Sequence, residues 1–327
     1  MALSASTPSI ISDCLNNSVS LQSEVLAIAI LVSISRLCDG SAAALADFGF
    51  IPDFFSSLAY LIRAHKTSFV VAEKALAAIK FLVRYGDSVT TSNKANAFKL
   101  GEADICQLTV DMIMQHGRLD EEVALQGVCC IRNLTVNPQN MLRLGSAGAC
   151  GCVVEMMRIH GLLHVTVAEQ ALRAVVNLAI SDVNRELLGS AGACVVVVEL
   201  LRTHGLKYHS LAEQALGAIV NLAAVNSNRS MLGSAGACAL VVEIMQTHVT
   251  ALYSNNEIAK QGSLAILNLA WNNSSNARLL QNADAKAMLQ LLVLDNMSVT
   301  NEVAKKNARE AIVRLGSASS MMAMFKF

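Results

Sequence analysis

The hexapeptide Gly-Ser-Ala-Gly-Ala-Cys occurs three times, beginning at Gly145, Gly189 and Gly233, with 44 residues from each copy to the next. A period of this length marks a solenoid, in which each unit cannot bury its own apolar face and stacks on its neighbours instead. Length alone, 327 residues, would suggest two or three globular domains. The repeat instead predicts one elongated all-α domain whose function sits on the surface that stacking creates. Composition agrees, because Pro is scarce, at 3 residues, while helix-forming Ala and Leu abound.

One unit can be read from Val183 to Leu222. Asn184 to Leu188 forms a short first helix, and the chain turns at Gly189 to Gly192. Ala193 to His204 reads as a second helix with Val196, Val197, Leu200 and Leu201 at helical spacing, and Gly205 after it suits a left-handed C′ residue. Ser210 to Ala224 is the third helix, with Ala215, Leu216, Ile219 and Leu222 on its apolar face. Third helices are expected near 69–85, 121–136, 165–180, 209–224, 256–271 and 300–315. This gives six repeats of period near 44, over about 40–86, 87–136, 137–180, 181–225, 226–272 and 273–317. A capping helix at 20–38 precedes them, completing a domain over 20–317 between a flexible N-terminus, 1–19, and an apolar tail, 318–327. Two repeats carry insertions, a polar loop within Arg84 to Lys94 and a longer link around Tyr253 to Asn256.

Lys plus Arg equals Asp plus Glu, at 25 each, so there is no field to attract nucleic acid or an anionic membrane. The longest apolar run, Val25 to Val32, falls short of the roughly 18 to 20 residues of a membrane helix. Met1 to Ser20 holds no Lys or Arg and fits neither a secretory signal nor a transit peptide, so the cytosol is expected, with the nucleus left open. Cys106, Cys150, Cys194 and Cys238 recur once per repeat, as do His65, His116, His160, His204 and His248. Equivalent residues of stacked helices stand about 8 to 10 Å apart, too far to share a metal or a disulfide. The Cys therefore read as buried packing and the His as helix-end residues. No phosphate loop, metal cluster or nucleophile and base pair appears, so neither enzyme activity nor a cofactor is expected.

Asn184 to Ala193 and Asn228 to Ala237 follow the pattern Asn-Arg-x-x-Leu-Gly-x-Ala-Gly-Ala, and Glu169 to Ala179 and Glu213 to Ala223 open with Glu-Gln-Ala-Leu. With three helices per repeat, this resembles the armadillo-repeat family, over nearly all of 40–316; two-helix HEAT repeats fit less well. The resemblance implies a right-handed superhelix whose third helices line a concave groove, where importin-α and β-catenin-like armadillo proteins hold extended peptides.

The third helices carry Gln-x6-Asn four times, as Gln126 with Asn133, Gln170 with Asn177, Gln214 with Asn221, and Gln261 with Asn268. Seven residues are nearly two turns, so both amides share a face. In the third repeat that face is expected to hold Gln170, Arg173, Ala174, Asn177 and Ser181. A row of amides can satisfy the backbone of an extended chain, or it can bridge adjacent third helices; both readings stand. The resemblance implies the peptide-binding role for Asn133, Asn177, Asn221 and Asn268. Four residues before each Asn, where importin-α-type repeats place Trp, stand Cys129, Arg173, Gly217 and Leu264, which argues against Lys-rich import cargo and for a neutral or mixed peptide. Trp271, the sole Trp, reads either as an exposed anchor or as core. The expected function is a protein-binding scaffold, with a structural or regulatory segment of a larger assembly, in contact through its apolar tail, as the alternative.

Overall fold

The computed structural model describes residues 6–16, 23–84, 91–249, 255–294 and 301–324. These form helices and connecting turns, gathered by their contacts into two compact units, Met1–His160 and Gly161–Phe327. The first unit opens with α1 (Ser6–Asn16) and α2 (Glu24–Gly40). Three-helix repeats follow: α3 (Ala42–Phe50), α4 (Phe54–His65) and α5 (Phe69–Leu82), then α6 (Thr91–Glu102), α7 (Ile105–Met112) and α8 (Glu121–Leu134), then α9 (Pro138–Ser146) and α10 (Ala149–Met156). Both α7 and α10 run on into a π turn, Ile113–Gly117 and Met157–Gly161.

The second unit begins with the third helix α11 (Val165–Leu178). Two full repeats follow, α12 (Asp182–Ser190), α13 (Ala193–His204) and α14 (His209–Leu222), then α15 (Asn226–Ser234), α16 (Ala237–His248) and α17 (Asn256–Leu269). The last repeat is α18 (Ser274–Asn282), α19 (Ala285–Val293) and α20 (Glu302–Met324). All six expected third helices are present. Within each unit like packs on like: α2 on α5 and α5 on α8 in the first, α11 on α14, α14 on α17 and α17 on α20 in the second.

Apolar spacing explains the packing. In α14, Leu211, Ala212, Ala215, Leu216, Ile219 and Leu222 are fully buried, and each large aliphatic side chain removed from water contributes about 1.5–3 kcal/mol. Side chains cap some of the third helices, as Ser68, Asp120 and Asn255 do for α5, α8 and α17, whereas α11 and α14 begin at His164 and Tyr208 without a side-chain cap.

The hexapeptide has two glycines with different physical tasks. Its second glycine, Gly148, Gly192 or Gly236, adopts a left-handed backbone with φ of 86°, 87° and 93°. That conformation costs an L side chain and turns the first helix sharply into the second, by 75° between α12 and α13 and 71° between α15 and α16. Asp53, Asp104 and Asp284 take the same role in the weaker repeats. The first glycine lies within the first helix, and it is small because the next repeat needs the space. A methyl group at Gly189 would lie 1.8 Å from Asn228 Oδ1, and one at Gly233 would lie 1.8 Å from Asn276 Oδ1. Each such Asn is buried and donates through Nδ2 to the preceding first helix, Asn228 to the Arg185 carbonyl and Asn276 to the Arg229 carbonyl, both at 2.9 Å. In α18, which no described first helix follows, the glycine is replaced by Gln281, whose amide donates to the Leu315 carbonyl at 2.6 Å.

Four expectations need correction. The stretch expected to be a flexible N-terminus, 1–19, contains α1, whose Ile11 and Leu15 are buried; they stand one turn apart and let α1 pack on α2 and α4. Gly205 is right-handed, with φ of −63°. It is glycine because a side chain there would meet Leu201 and Ile244. Part of the insertion within Arg84 to Lys94 extends α6, which begins at Thr91; the rest of it, 85–90, and the link around Tyr253 lie outside the described residues. The backbone of α20 continues into the tail, although the tail's side chains and any contact they make also lie outside the described residues.

The glycine argument yields a paired test by thermal melting followed with circular dichroism. Gly233→Ala is expected to destabilise the protein by about 2 kcal/mol or more, since the locked Asn276 cannot move aside. Gly151→Ala, within α10 and facing open space, is expected to stabilise it by about 0.5–1 kcal/mol.

Candidate functional site

The face shared by successive third helices carries a side-chain ladder. In the first unit, Asn133 donates through Nδ2 to the Lys80 carbonyl at 3.1 Å, and its Oδ1 accepts from the Arg132 guanidinium at 2.9 and 3.1 Å. In the second unit, Asn221 donates to the Val176 carbonyl at 2.9 Å and Asn268 to the Val220 carbonyl at 3.1 Å. The acceptor is each time the residue just before the equivalent ladder position of the preceding helix. Arg314 continues the pattern on α20, donating to the Leu267 carbonyl at 3.4 Å. The amide nitrogens of these three Asn thus bridge neighbouring helices. Asn133 is buried, while Asn177, Asn221 and Asn268 are half-buried. Among the described residues nothing donates to the Oδ1 of Asn221 or Asn268.

The Gln row is held differently. Gln126 and Gln261 reach back one turn to Glu122 and Glu257, the second at 2.7 Å, and the Gln126 Oε1 is buried without a partner. Gln170 and Gln214 are half-buried on α11 and α14. Arg173 pairs with Glu169 at 2.8 Å, and Ser210 of the next third helix donates to the same carboxylate at 2.9 Å. Comparable links run from Asn255 to Glu213 at 2.9 Å and from Ser68 to Glu24 at 2.7 Å. This row of acids near the third-helix N-termini was not singled out from the sequence, although Glu169 and Glu213 stand directly before the Gln and so share its period. Ala174, expected on the open face, is fully buried, and Val176 is partly exposed in its place, because the burying stripe is wider than one heptad position.

Trp271 is 48% exposed, directly after α17. The Arg314 guanidinium lies over its ring, 3.8 Å from the centroid, and its carbonyl accepts from Arg229 at 2.7 Å. It is therefore a surface residue rather than part of the core.

The His row is structural, in a manner the sequence did not indicate. His116, His160, His204 and His248 each place Nε2 within 2.7–3.0 Å of a main-chain carbonyl, those of Lys66, Gly117, Gly161 and Gly205. That carbonyl always belongs to the residue after the preceding His of the row, so Nε2 carries the proton and joins one second helix to the next rather than only tending its own helix end. Burial raises the thiol pKa of Cys106, Cys150, Cys194 and Cys238 to about 12. No group of three or more metal-binding side chains occurs among the described residues. No single helix among them is long and apolar enough to cross a membrane.

These features define an armadillo-like helical repeat protein. Comparison with solved structures agrees. An engineered protein from a structural genomics consortium superposes with a TM-score of 0.76 at 18% identity, covering 94% of this chain and 68% of its own. A designed armadillo repeat protein superposes at 0.64 with 24% identity, over 80% of this chain and 99% of its own. Another designed armadillo repeat protein, in complex with the peptide (KR)4, gives 0.62 with 23% identity over the same shares. At these identities the likeness concerns the fold alone. No protein-family model matches the sequence, and no curated protein matches it.

The buried thiols give a direct check on the scaffold reading of the Cys row. Their raised pKa keeps them protonated at any pH below about 12, so reactive thiolate is scarce. Brief alkylation of the native protein at mildly alkaline pH should label the exposed Cys14 and leave these four unmodified by peptide mass mapping. Labelling of all of them at equal rates would mean that the repeat interfaces open readily.

Proposed function

We propose that the chain is a non-enzymatic scaffold that holds an extended segment of another protein along its third helices. The observation that carries this is the state of Asn221 and Asn268. Each nitrogen is fixed on a carbonyl of the preceding helix, and no described residue donates to the oxygen, which leaves one acceptor per repeat for a partner. An extended peptide presents backbone N–H groups that suit such acceptors whatever its side chains are. Gln170, Gln214 and Gln261 lie on the same helices, where Asn177 completes the row, and Trp271 and Arg173 add an aromatic surface and a charge. In the first unit Gln126 and Asn133 occupy the equivalent positions, although Arg132 already occupies the Asn133 oxygen. The armadillo-like fold supports the reading, as does the peptide held by one of the designed proteins that share it. A mixed peptide is the best match, because Arg173 pairs with Glu169 and the Glu213 carboxylate accepts from Asn255, which leaves neither sign of charge dominant there. No cofactor enters the proposal, and the cytosol is its proposed place of action.

The test must separate binding from stability, since these amides also hold the repeats together. Asn221→Ala with Asn268→Ala should cost about 1 kcal/mol per site in thermal melting. It should also abolish crosslinks between partner proteins in native extract and the third helices. Asn228→Ala removes an equivalent bridge in the first-helix layer, and it should destabilise without losing those crosslinks. Equal retention of crosslinks in both variants would assign the third-helix amides to structure alone.

A further inference from the structure

We propose that the first-helix layer of the second unit docks an amphipathic helix of another protein, which lies across α12, α15 and α18 and seats one apolar side chain on each. This surface is distinct from the third-helix face, and the inference does not depend on how that face is used.

The position two residues before the hexapeptide glycine, or before its counterpart, defines the surface. In the first unit it holds Lys99 in α6 and Arg143 in α9. In the second it holds Leu187, Met231 and Leu279, in α12, α15 and α18. Leu187 and Leu279 are each 41% exposed and Met231 is half-buried, so three successive first helices offer an apolar side chain where two others carry a cation. The bonds from Asn228 to the Arg185 carbonyl and from Asn276 to the Arg229 carbonyl hold these helices in one register, which sets the three side chains in a row. Val183 of α12 and Val195 of α13, both exposed, enlarge the apolar surface at one end.

Spacing selects the shape of the partner. Packed helices stand about 8 to 10 Å apart, and seven residues of an α-helix rise about 10.5 Å while returning to nearly the same face. A helix laid along the row therefore meets Leu187, Met231 and Leu279 with every seventh residue. An extended chain covers the same distance in about three residues, and an odd step turns its side chain to the opposite face. Beside Met231, a groove of about 640 Å³ between α13 and α15 is lined also by Val195, Ser230, Ser234 and Ala235, with Glu199 and Arg202 bringing opposite charges to it. It has room for a large anchoring side chain.

Charge distinguishes the two ends of the row. Glu186 precedes Leu187 and Arg278 precedes Leu279; both are exposed, and among the described residues neither makes a hydrogen bond or an ion pair. By contrast, Arg143 of α9 pairs with Glu102, and Arg185 of α12 with Asp182. Between the two ends the same position is the neutral Ser230. A partner helix with a basic residue facing Glu186 and an acidic one facing Arg278, about 14 residues away, complements both. An apolar centre with a polar rim and opposite charges at its ends is how a protein interface is built.

The probes are two helical peptides of Ala, Gln and Leu, each with one Lys and one Glu fourteen positions apart. The first places Leu at every seventh residue and at the fourth between; the second has the same composition with Leu scattered. The patterned peptide should bind the full-length protein at least about tenfold more tightly than the scattered one. Leu187→Arg with Met231→Arg, which installs cations of the kind the fold already carries at this position in α6 and α9, should remove that difference without changing the melting curve. Glu186→Lys should weaken the patterned peptide, and exchanging that peptide's Lys for Glu should restore it, a compensation that a structural effect alone would not give. Asn221→Ala with Asn268→Ala should leave this binding unchanged, which separates the surface from the third-helix face. Equal affinity for the two peptides, binding of neither, or a preference that survives the double Arg variant would overturn the proposal. So would self-association of the wild-type protein that Leu187→Arg abolishes, since the occupant would then be a second copy of this chain.

Discussion

The interaction on which the structure depends is a hydrogen bond from a side chain of one repeat to a main-chain carbonyl of the repeat before it. Apolar contact drives stacking but has little directional preference, so by itself it would let helices slide or rotate. The directional bonds remove that freedom in all three helical layers. Asn228 bonds to the Arg185 carbonyl in the first layer, His248 to the Gly205 carbonyl in the second, and Asn268 to the Val220 carbonyl in the third. In each case the acceptor is one residue away from the equivalent of the donor. The same offset recurs in both units, as with Asn140 and the Ala97 carbonyl, or His160 and the Gly117 carbonyl.

This register explains features that otherwise resemble chemistry. A row of imidazoles and a row of thiols could be mistaken for ligands or nucleophiles. The imidazoles are donors to fixed carbonyls, and the thiols are buried and held protonated. Two of the glycines in the hexapeptide are equally specific, one because the chain must turn left-handed and the other because an Asn side chain of the next repeat occupies the space a methyl group would need. The proposed binding face uses the same device. An amide has two ends, so Asn221 and Asn268 can bridge neighbouring helices through nitrogen and still offer oxygen to a partner. The two readings of the amide row are therefore compatible in these residues, and rigidity becomes a reason why the acceptors would be well placed.

Much of the fold was legible because it repeats. Apolar spacing located all six third helices, and the Gly-rich breaks located the turns into the second helices. The misreadings occurred where a residue's role depends on a neighbour distant in the chain. Gly205 follows a helix and was read as a left-handed cap, but it is right-handed and small because Ile244 packs against it. The Ser-rich beginning of the chain concealed α1, since two apolar residues suffice once α2 and α4 supply the other half of the contact. At the candidate site, the Gln and Asn rows were visible by period, whereas the stacking of Arg314 on Trp271 was not, because no spacing rule connects residues 43 positions apart in a repeat of irregular length.

The sequence by itself determined that this protein is a helical repeat array, the length of its unit, and which residue types recur on each helix, because periodicity and backbone preference are local properties of the chain. Only the tertiary structure decided what those recurring residues do. Whether an amide bridges helices or faces a partner, whether a glycine serves a turn or a neighbour, and whether the one Trp is core or surface all depend on which atoms stacking brings within hydrogen-bonding or van der Waals distance.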